Sequence, residues 1–251
     1  MQIDIAKTAV ELGKHAAKAS AQVIREAIAD HGEARIILST GASQFETLDA
    51  LVKEDLAWDK VTMFHLDEYK GLPESHGASF RKYLKERFTS LVPLKAAFFV
   101  NGEGNIENNI KELTAELRKA PIDLGLIGIG ENAHIAFNDP PANLETKEAY
   151  IVVTLEERCK RQQMGEGWFK TIEDVPAQAI SMTVYQMLQC RVVISSVPGL
   201  RKADAILKTL SHEATPYVPA TYLKDHPDWR LYVDADSYSL VEKALRQTVK
   251  A

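Results

Sequence analysis

Cysteine is nearly missing from this chain. Only Cys159 and Cys190 occur in its 251 residues. Neither belongs to a CxxC pair or to a cysteine-histidine cluster, which argues against a disulfide framework and a zinc site and leaves no metal expected. Long hydrophobic runs are missing as well. Met1 to Asp30 carries a charge every few residues and reads as an amphipathic helix. It is neither a secretion signal nor a membrane span, so a cytoplasmic protein without membrane contact is expected. No block of lysine and arginine appears, and the formal net charge is -5, so nothing marks a nucleic-acid surface. The Gly-xxxx-Gly-Lys-Ser/Thr pattern of nucleotide triphosphate binding is absent.

What the chain does contain is an alternation. Short apolar, β-branched runs recur at Arg35 to Ser39, Val61 to Leu66, Ala97 to Val100, Ile122 to Ile127, Tyr150 to Thr154, Arg191 to Ser196 and Arg230 to Val233. Helical spacing fills Gln44 to Lys53, Ala78 to Phe88, Ile106 to Lys119, Ala179 to Met187 and Leu200 to Ser211. Strands buried on both faces and joined by helices predict a doubly wound α/β fold: a mostly parallel sheet with helices on both faces, a Rossmann-like three-layer sandwich. With 45% hydrophobic residues and no linker, repeat or low-complexity stretch, residues 1–251 read as one domain.

In open sheets of this kind ligands bind beyond the carboxyl ends of the strands. That rule selects four segments. Gly41, Ala42 and Ser43 follow the first run and precede a helix, a place where backbone N–H groups can face an anion. Asp67 and Glu68 end the second run. Buried acids need a partner or a task, and neighbours on an extended segment point opposite ways, so one of the two can meet a ligand while the other braces the loop.

The third segment, Gly128-Ile129-Gly130-Glu131-Asn132-Ala133, formally matches a dinucleotide fingerprint but reaches Pro140-Pro141 and then another strand. A true fingerprint opens a crossover helix, so no nicotinamide or other cofactor is expected. Its glycines suit a backbone that approaches a ligand closely. Beyond them His134 lies shortly before Asp139, an imidazole able to exchange a proton near neutrality with a carboxylate to set its tautomer. Lys202, in Pro198-Gly199-Leu200-Arg201-Lys202, begins another helix and suits a phosphate contact or plain surface.

Together Ser39-Thr40-Gly41-Ala42-Ser43, Leu66-Asp67-Glu68-Tyr69 with Gly71-Leu72-Pro73, Gly128-Ile129-Gly130 leading to His134-Ile135-Ala136-Phe137-Asn138-Asp139-Pro140, and Gly199 to Lys202 resemble the glucosamine-6-phosphate deaminase family. Its wider superfamily includes the 6-phosphogluconolactonases, and the resemblance runs from roughly Arg35 to Val233. It implies a phosphosugar substrate and a reaction in which an aminohexose phosphate ring opens, a proton moves between carbons 2 and 1, and ammonia leaves with fructose 6-phosphate. By the same resemblance Asp67 is the base, His134 protonates the ring oxygen with Asp139 in support, and phosphate sits on Gly41 to Ser43 and Lys202. Glu68, Gly130, Glu131 and Asn132 complete the expected substrate site. A homo-oligomer is compatible with the resemblance.

Four positions depart from the better-known pattern, three of them around His134. Asn132 replaces an aspartate before the histidine, Ala133 replaces a glycine, and Asp139 replaces a glutamate. Asn132 can accept a hydrogen bond from the imidazole but carries no charge, so Asp139 or Glu131 is expected to supply one. Ala133 disfavours a positive φ unless strain is tolerated. The usual arginine before Trp168 is Gly167; Arg158 and Arg161 lie in the preceding turn, and Arg161 is the one expected to replace it. Lactone hydrolysis and non-catalytic sugar-phosphate binding are the competing readings.

Overall fold

A computed structural model describes residues 1–165 and 167–248. In chain order the elements are β1 (Gln2–Ala6), α1 (Ala9–His31), β2 (Ala34–Leu38), α2 (Phe45–Leu51), β3 (Val61–His65), β4 (Asp67–Tyr69), α3 (Phe80–Leu84), β5 (Ala96–Phe98), α4 (Ile106–Leu117), β6 (Ile122–Leu126), β7 (Tyr150–Thr154), α5 (Glu157–Gly165), β8 (Gln178–Met182), α6 (Val184–Met187), β9 (Cys190–Val197), α7 (Ala203–Ser211), β10 (Trp229–Asp234) and α8 (Ser239–Thr248). Seven strands form a parallel sheet in the order β1-β10-β9-β6-β2-β3-β5.

Alternation along each strand explains why helices cover both faces. Ile37 and Phe64 enter one apolar layer with Leu113 and Leu117 of α4 and Ile206 of α7. Ile36, Leu38 and Met63 enter the other, with Ile24 of α1 and Leu51 of α2. A strand that is apolar at every position is stable only between two such layers. The result is the expected doubly wound, three-layer α/β fold.

From β2 the sheet grows outward through β3 and β5, then resumes on the other side of β2 with β6 and continues through β9 and β10. The order reverses between β2 and β6. Loops leaving these two strands diverge, and a crevice opens over their carboxyl ends.

Three expected elements differ. The region Met1 to Asp30 is not one helix, because Gln2–Ala6 pairs in parallel with β10. The helix starts only after Thr8, whose hydroxyl accepts from the backbone N–H of Glu11. This cap, with Glu11 three residues on, is a start signal that sets the boundary. The expected helix Ala179 to Met187 is instead β8, and only after Thr183 caps the chain does the short α6 follow. Tyr150–Thr154 is a strand, but it lies outside the main sheet: β4, β8 and β7 form a separate antiparallel sheet. Here burial between neighbours outweighs local propensity.

This small sheet matters for position. Leu66 bridges the two sheets, donating to the Leu38 carbonyl and accepting from the Met182 N–H. The chain therefore leaves β3 and enters β4 within a single residue, and Asp67 is held rigidly at the edge of the crevice.

Candidate active site

A cavity of about 420 Å³ opens at this crevice. Its wall includes Gly41, Ala42 and Ser43 beyond β2, Asp67 at the start of β4, Gly130, Glu131 and His134 beyond β6, and Lys202 beyond β9. Residues far apart in sequence thus meet in one place. Glu68, Asn132, Asp139 and Arg161 are not on that wall.

Asp67 and Glu68 have separate environments. Asp67 is buried, and its Oδ1 atom has no hydrogen-bond partner. Burial, with the Glu68 charge adding to it, pushes its carboxyl up to about 8. Glu68 turns the other way into a closed network. Its carboxylate accepts from the backbone N–H groups of Tyr69, Phe80 and Arg81, from the Ser79 hydroxyl and from Arg81 Nε. Glu68 therefore braces the loop after β4 and is not directed at the cavity. Alternation on an extended segment is the cause.

His134 stands in a tight loop. Its carbonyl accepts from the Gly130 N–H at 2.9 Å. A Cβ on Gly130 would lie 2.2 Å from His134 Nε2, so the imidazole occupies the space a side chain would need. Ala133 takes φ 64° and Ala136 φ 50°. The left-handed conformation disfavoured at Ala133 is adopted all the same, at a cost of roughly 1–2 kcal/mol. The buried Ala133 accepts a hydrogen bond from the Ala220 N–H at 2.9 Å, which holds the turn.

The altered relay is now explicit. Asn132 does not meet the imidazole: its Oδ1 accepts from the His134 backbone N–H at 3.1 Å, while its amide donates to Asp139 Oδ1 at 2.9 Å. Asp139 is the group beside the ring, with Oδ1 3.2 Å from His134 Nδ1 but not aligned as a hydrogen bond. Burial alone would raise the Asp139 carboxyl, but contacts with His134, Asn132 and the Cys159 thiol outweigh it and hold the group at about 2. Asp139 therefore supplies the fixed charge. Glu131 instead reaches Arg201, 4.0 Å away at the mouth.

The other end of the cavity suits an anion. Gly41 (φ 102°, ψ 164°) and Gly199 (φ 90°, ψ 153°) adopt nearly the same conformation, each entering a 3₁₀ turn and then a helix. Both positive φ values require glycine in practice. The Tyr83 hydroxyl donates to the Gly41 carbonyl at 2.9 Å and pins that loop. Ser43 and Lys202 border the same space.

Arg161 does not reach it. That side chain lies on the outer face of α5, paired with Glu157 one turn earlier. Gln162 and Gln163 face the cavity instead, and Gln163 Oε1 accepts from the Tyr69 hydroxyl at 2.7 Å. Phe80 and Phe137, stacked with centroids 5.8 Å apart, form apolar wall not anticipated from the sequence. Nothing in local spacing marks these four residues. Among the described residues no group of three or more His, Cys, Asp or Glu side chains could hold a metal ion. No helix follows Gly128 to Ala133 before β7, so the backbone there lacks the crossover helix that receives a dinucleotide pyrophosphate. No helix among the described residues is long and apolar enough to cross a membrane.

Known proteins share the fold and part of the sequence. Over 230 residues the chain is 33% identical to a glucosamine-6-phosphate deaminase of Streptococcus pneumoniae, covering 90% of this chain and 94% of that one. A solved monomeric glucosamine-6-phosphate deaminase superposes with a TM-score of 0.86 at 28% identity, covering 96% of this chain and 100% of the other. The 6-phosphogluconolactonase of Thermotoga maritima shares the fold with a TM-score of 0.76 at 15% identity, covering 93% of this chain and 99% of that one. Residues 7–231 match the profile of one family. The chain belongs to the glucosamine-6-phosphate isomerases/6-phosphogluconolactonase family.

Proposed function

We propose that this protein is a glucosamine-6-phosphate deaminase, converting glucosamine 6-phosphate and water to fructose 6-phosphate and ammonia. The observation that carries this reading is the buried carboxyl of Asp67, unpartnered at Oδ1 and raised to about 8, on the same cavity wall as His134. A carboxylate that holds its proton this strongly is a strong base toward a carbon-bound proton.

The steps follow from the two ends of the cavity. Phosphate rests against Gly41 to Ser43 and Lys202, which orients the sugar without entering the bond changes. His134 takes the proton of the carbon 1 hydroxyl and gives one to the ring oxygen as the ring opens, with the Asp139 carboxylate 3.2 Å from its Nδ1. Asp67 then takes the proton from carbon 2 and returns it to carbon 1. Water hydrolyses the resulting imine at carbon 2, leaving the ketone and ammonia. The arriving ammonium group of the substrate favours the Asp67 carboxylate, so binding itself prepares the base. These groups suffice for the chemistry with no cofactor.

Because the substrate is a phosphorylated sugar, trapped within cells by its charge, we also infer that the enzyme works in the cytoplasm; the one sheet that joins β1 to β10 supports reading residues 1–251 as a single domain. Purified protein incubated with glucosamine 6-phosphate should release ammonia in step with fructose 6-phosphate. Rapid loss of 6-phosphogluconolactone with no ammonia would reassign it as a lactonase.

A further inference from the structure

Gln44 is a buried amide beside the anion end of the cavity, 1% exposed. Its Nε2 atom donates to Ser43 Oγ at 3.1 Å and to the Ser196 carbonyl at 3.1 Å. The Ser196 carbonyl can only accept, so the amide cannot be flipped, and its second proton must point at the Ser43 hydroxyl. A hydroxyl has one hydrogen. With its oxygen already accepting from Gln44, Ser43 is left with that hydrogen to give, and Ser43 borders the cavity. Gly128 allows this approach: a Cβ there would stand 3.1 Å from Gln44 Nε2.

We propose that Gln44 is a positioning residue that sets the polarity of the Ser43 hydroxyl, making it an obligatory donor to the substrate phosphate. Without Gln44 nothing donates to the Ser43 oxygen, so the hydroxyl is free to turn its hydrogen away from the cavity and to present lone pairs to an anion, a repulsive arrangement. This inference rests on the proposed placement of phosphate at Gly41 to Ser43, but it concerns anion binding and can fail separately from the reaction.

The test is a double-mutant cycle on Gln44→Leu and Ser43→Ala, reading calorimetric binding of inorganic phosphate together with KM and kcat for glucosamine 6-phosphate. Gln44→Leu should weaken phosphate binding by on the order of tenfold, the scale of a hydrogen bond to a charged group, with the loss falling on KM rather than kcat. In the Ser43→Ala background the same substitution should cost less than about twofold, because no hydroxyl remains to orient. Gln44→Glu, whose carboxylate accepts from Ser43 and repels the anion, should be worse than Gln44→Leu. Equal losses in both backgrounds, no loss from Ser43→Ala, or a Gln44→Glu variant that binds phosphate normally would each overturn the proposal. Melting curves accompany every variant, and Gln44→Met replaces Gln44→Leu if the latter does not unfold cooperatively. Wild-type protein that binds phosphate in this Gln44-dependent way but releases no ammonia would sink the deaminase reading and leave this one standing. Ammonia release with phosphate binding indifferent to Gln44 would do the reverse.

Discussion

The Gly130 backbone and the His134 imidazole fill the same space: the position a Gly130 Cβ would occupy is 2.2 Å from Nε2 of the ring. Gly130→Ala must therefore move the imidazole, and with it the contact to Asp139, without changing either side chain chemically. Ammonia release should fall by roughly 100-fold, the scale of misplacing a proton-transfer group, while a melting curve shifts little. A Gly130→Ala enzyme with wild-type turnover would mean that His134 has no part in the rate-limiting chemistry.

Asp67→Asn separates catalysis from stability. Deamination should drop by at least about 100-fold with loss of the base. The Asp67 carboxyl sits at about 8 in the folded chain against an ordinary 3.8. Between those values the folded state binds more protons than the unfolded one, so this group costs stability increasingly as pH rises. Asn carries no such penalty. The melting temperature of Asp67→Asn relative to wild type should thus climb from pH 4 to pH 8 and level off above it. An increment constant across that window would show that Asp67 titrates normally.

The same shift predicts the activity profile. For the free enzyme kcat/KM should rise with pH as Asp67 ionises, reach half its maximum near pH 8 and level only above that. An initial-rate series at low substrate measures it directly, and a plateau already reached at pH 5 would contradict a raised base.

Asp139 titrates in the opposite direction. Its carboxyl is held at about 2, below the ordinary 3.8, so the stability it contributes is present above pH 4 and is lost as pH falls toward 2. Asp139→Asn should cost about 1–2 kcal/mol at neutral pH and lower kcat by 10- to 100-fold, since the imidazole loses its fixed charge. Asp139→Glu should recover part of both. In denaturant melts the gap between wild type and Asp139→Asn should be clearly smaller at pH 3 than at pH 7.

His65 offers a contrast of purely structural kind. It is fully buried, both ring nitrogens lack hydrogen-bond partners, and burial, with the nearby Arg81 charge adding to it, pushes the imidazole down to about 3. Replacing it with Leu removes two unsatisfied polar atoms at similar volume, so His65→Leu should be neutral or stabilising by about 1 kcal/mol. Deamination should be unaffected. A loss above ~2 kcal/mol on thermal or denaturant unfolding would mean that the ring nitrogens are satisfied in solution.

Much of this was legible in one dimension. The apolar run before Gly41, the acids that follow β3, and the glycines before His134 each announce a strand end, because a run without alternation must be buried on both faces and its polar terminus must emerge at the sheet edge. Arg161 shows the limit. On a helix a difference of one residue is about 100° of rotation, enough to send Arg161 to solvent with Glu157 while Gln162 and Gln163 face the cavity.

The small sheet was decided by tertiary contacts alone. The spacing from Ala179 to Met187 reads as helical, yet Gln178–Met182 pair as a strand between β4 and β7, which makes them the common frame of the site. Ser181 lies opposite Asp67 in that sheet, and its hydroxyl accepts from the Phe137 N–H at 3.0 Å, tying down the loop that carries His134. Sequence by itself determined which side chains stand at strand ends, since burial dictates that locally. Their separation, the unpaired state of Asp67 and the partner of His134 depend on contacts between segments distant in the chain, and only packing brings those together.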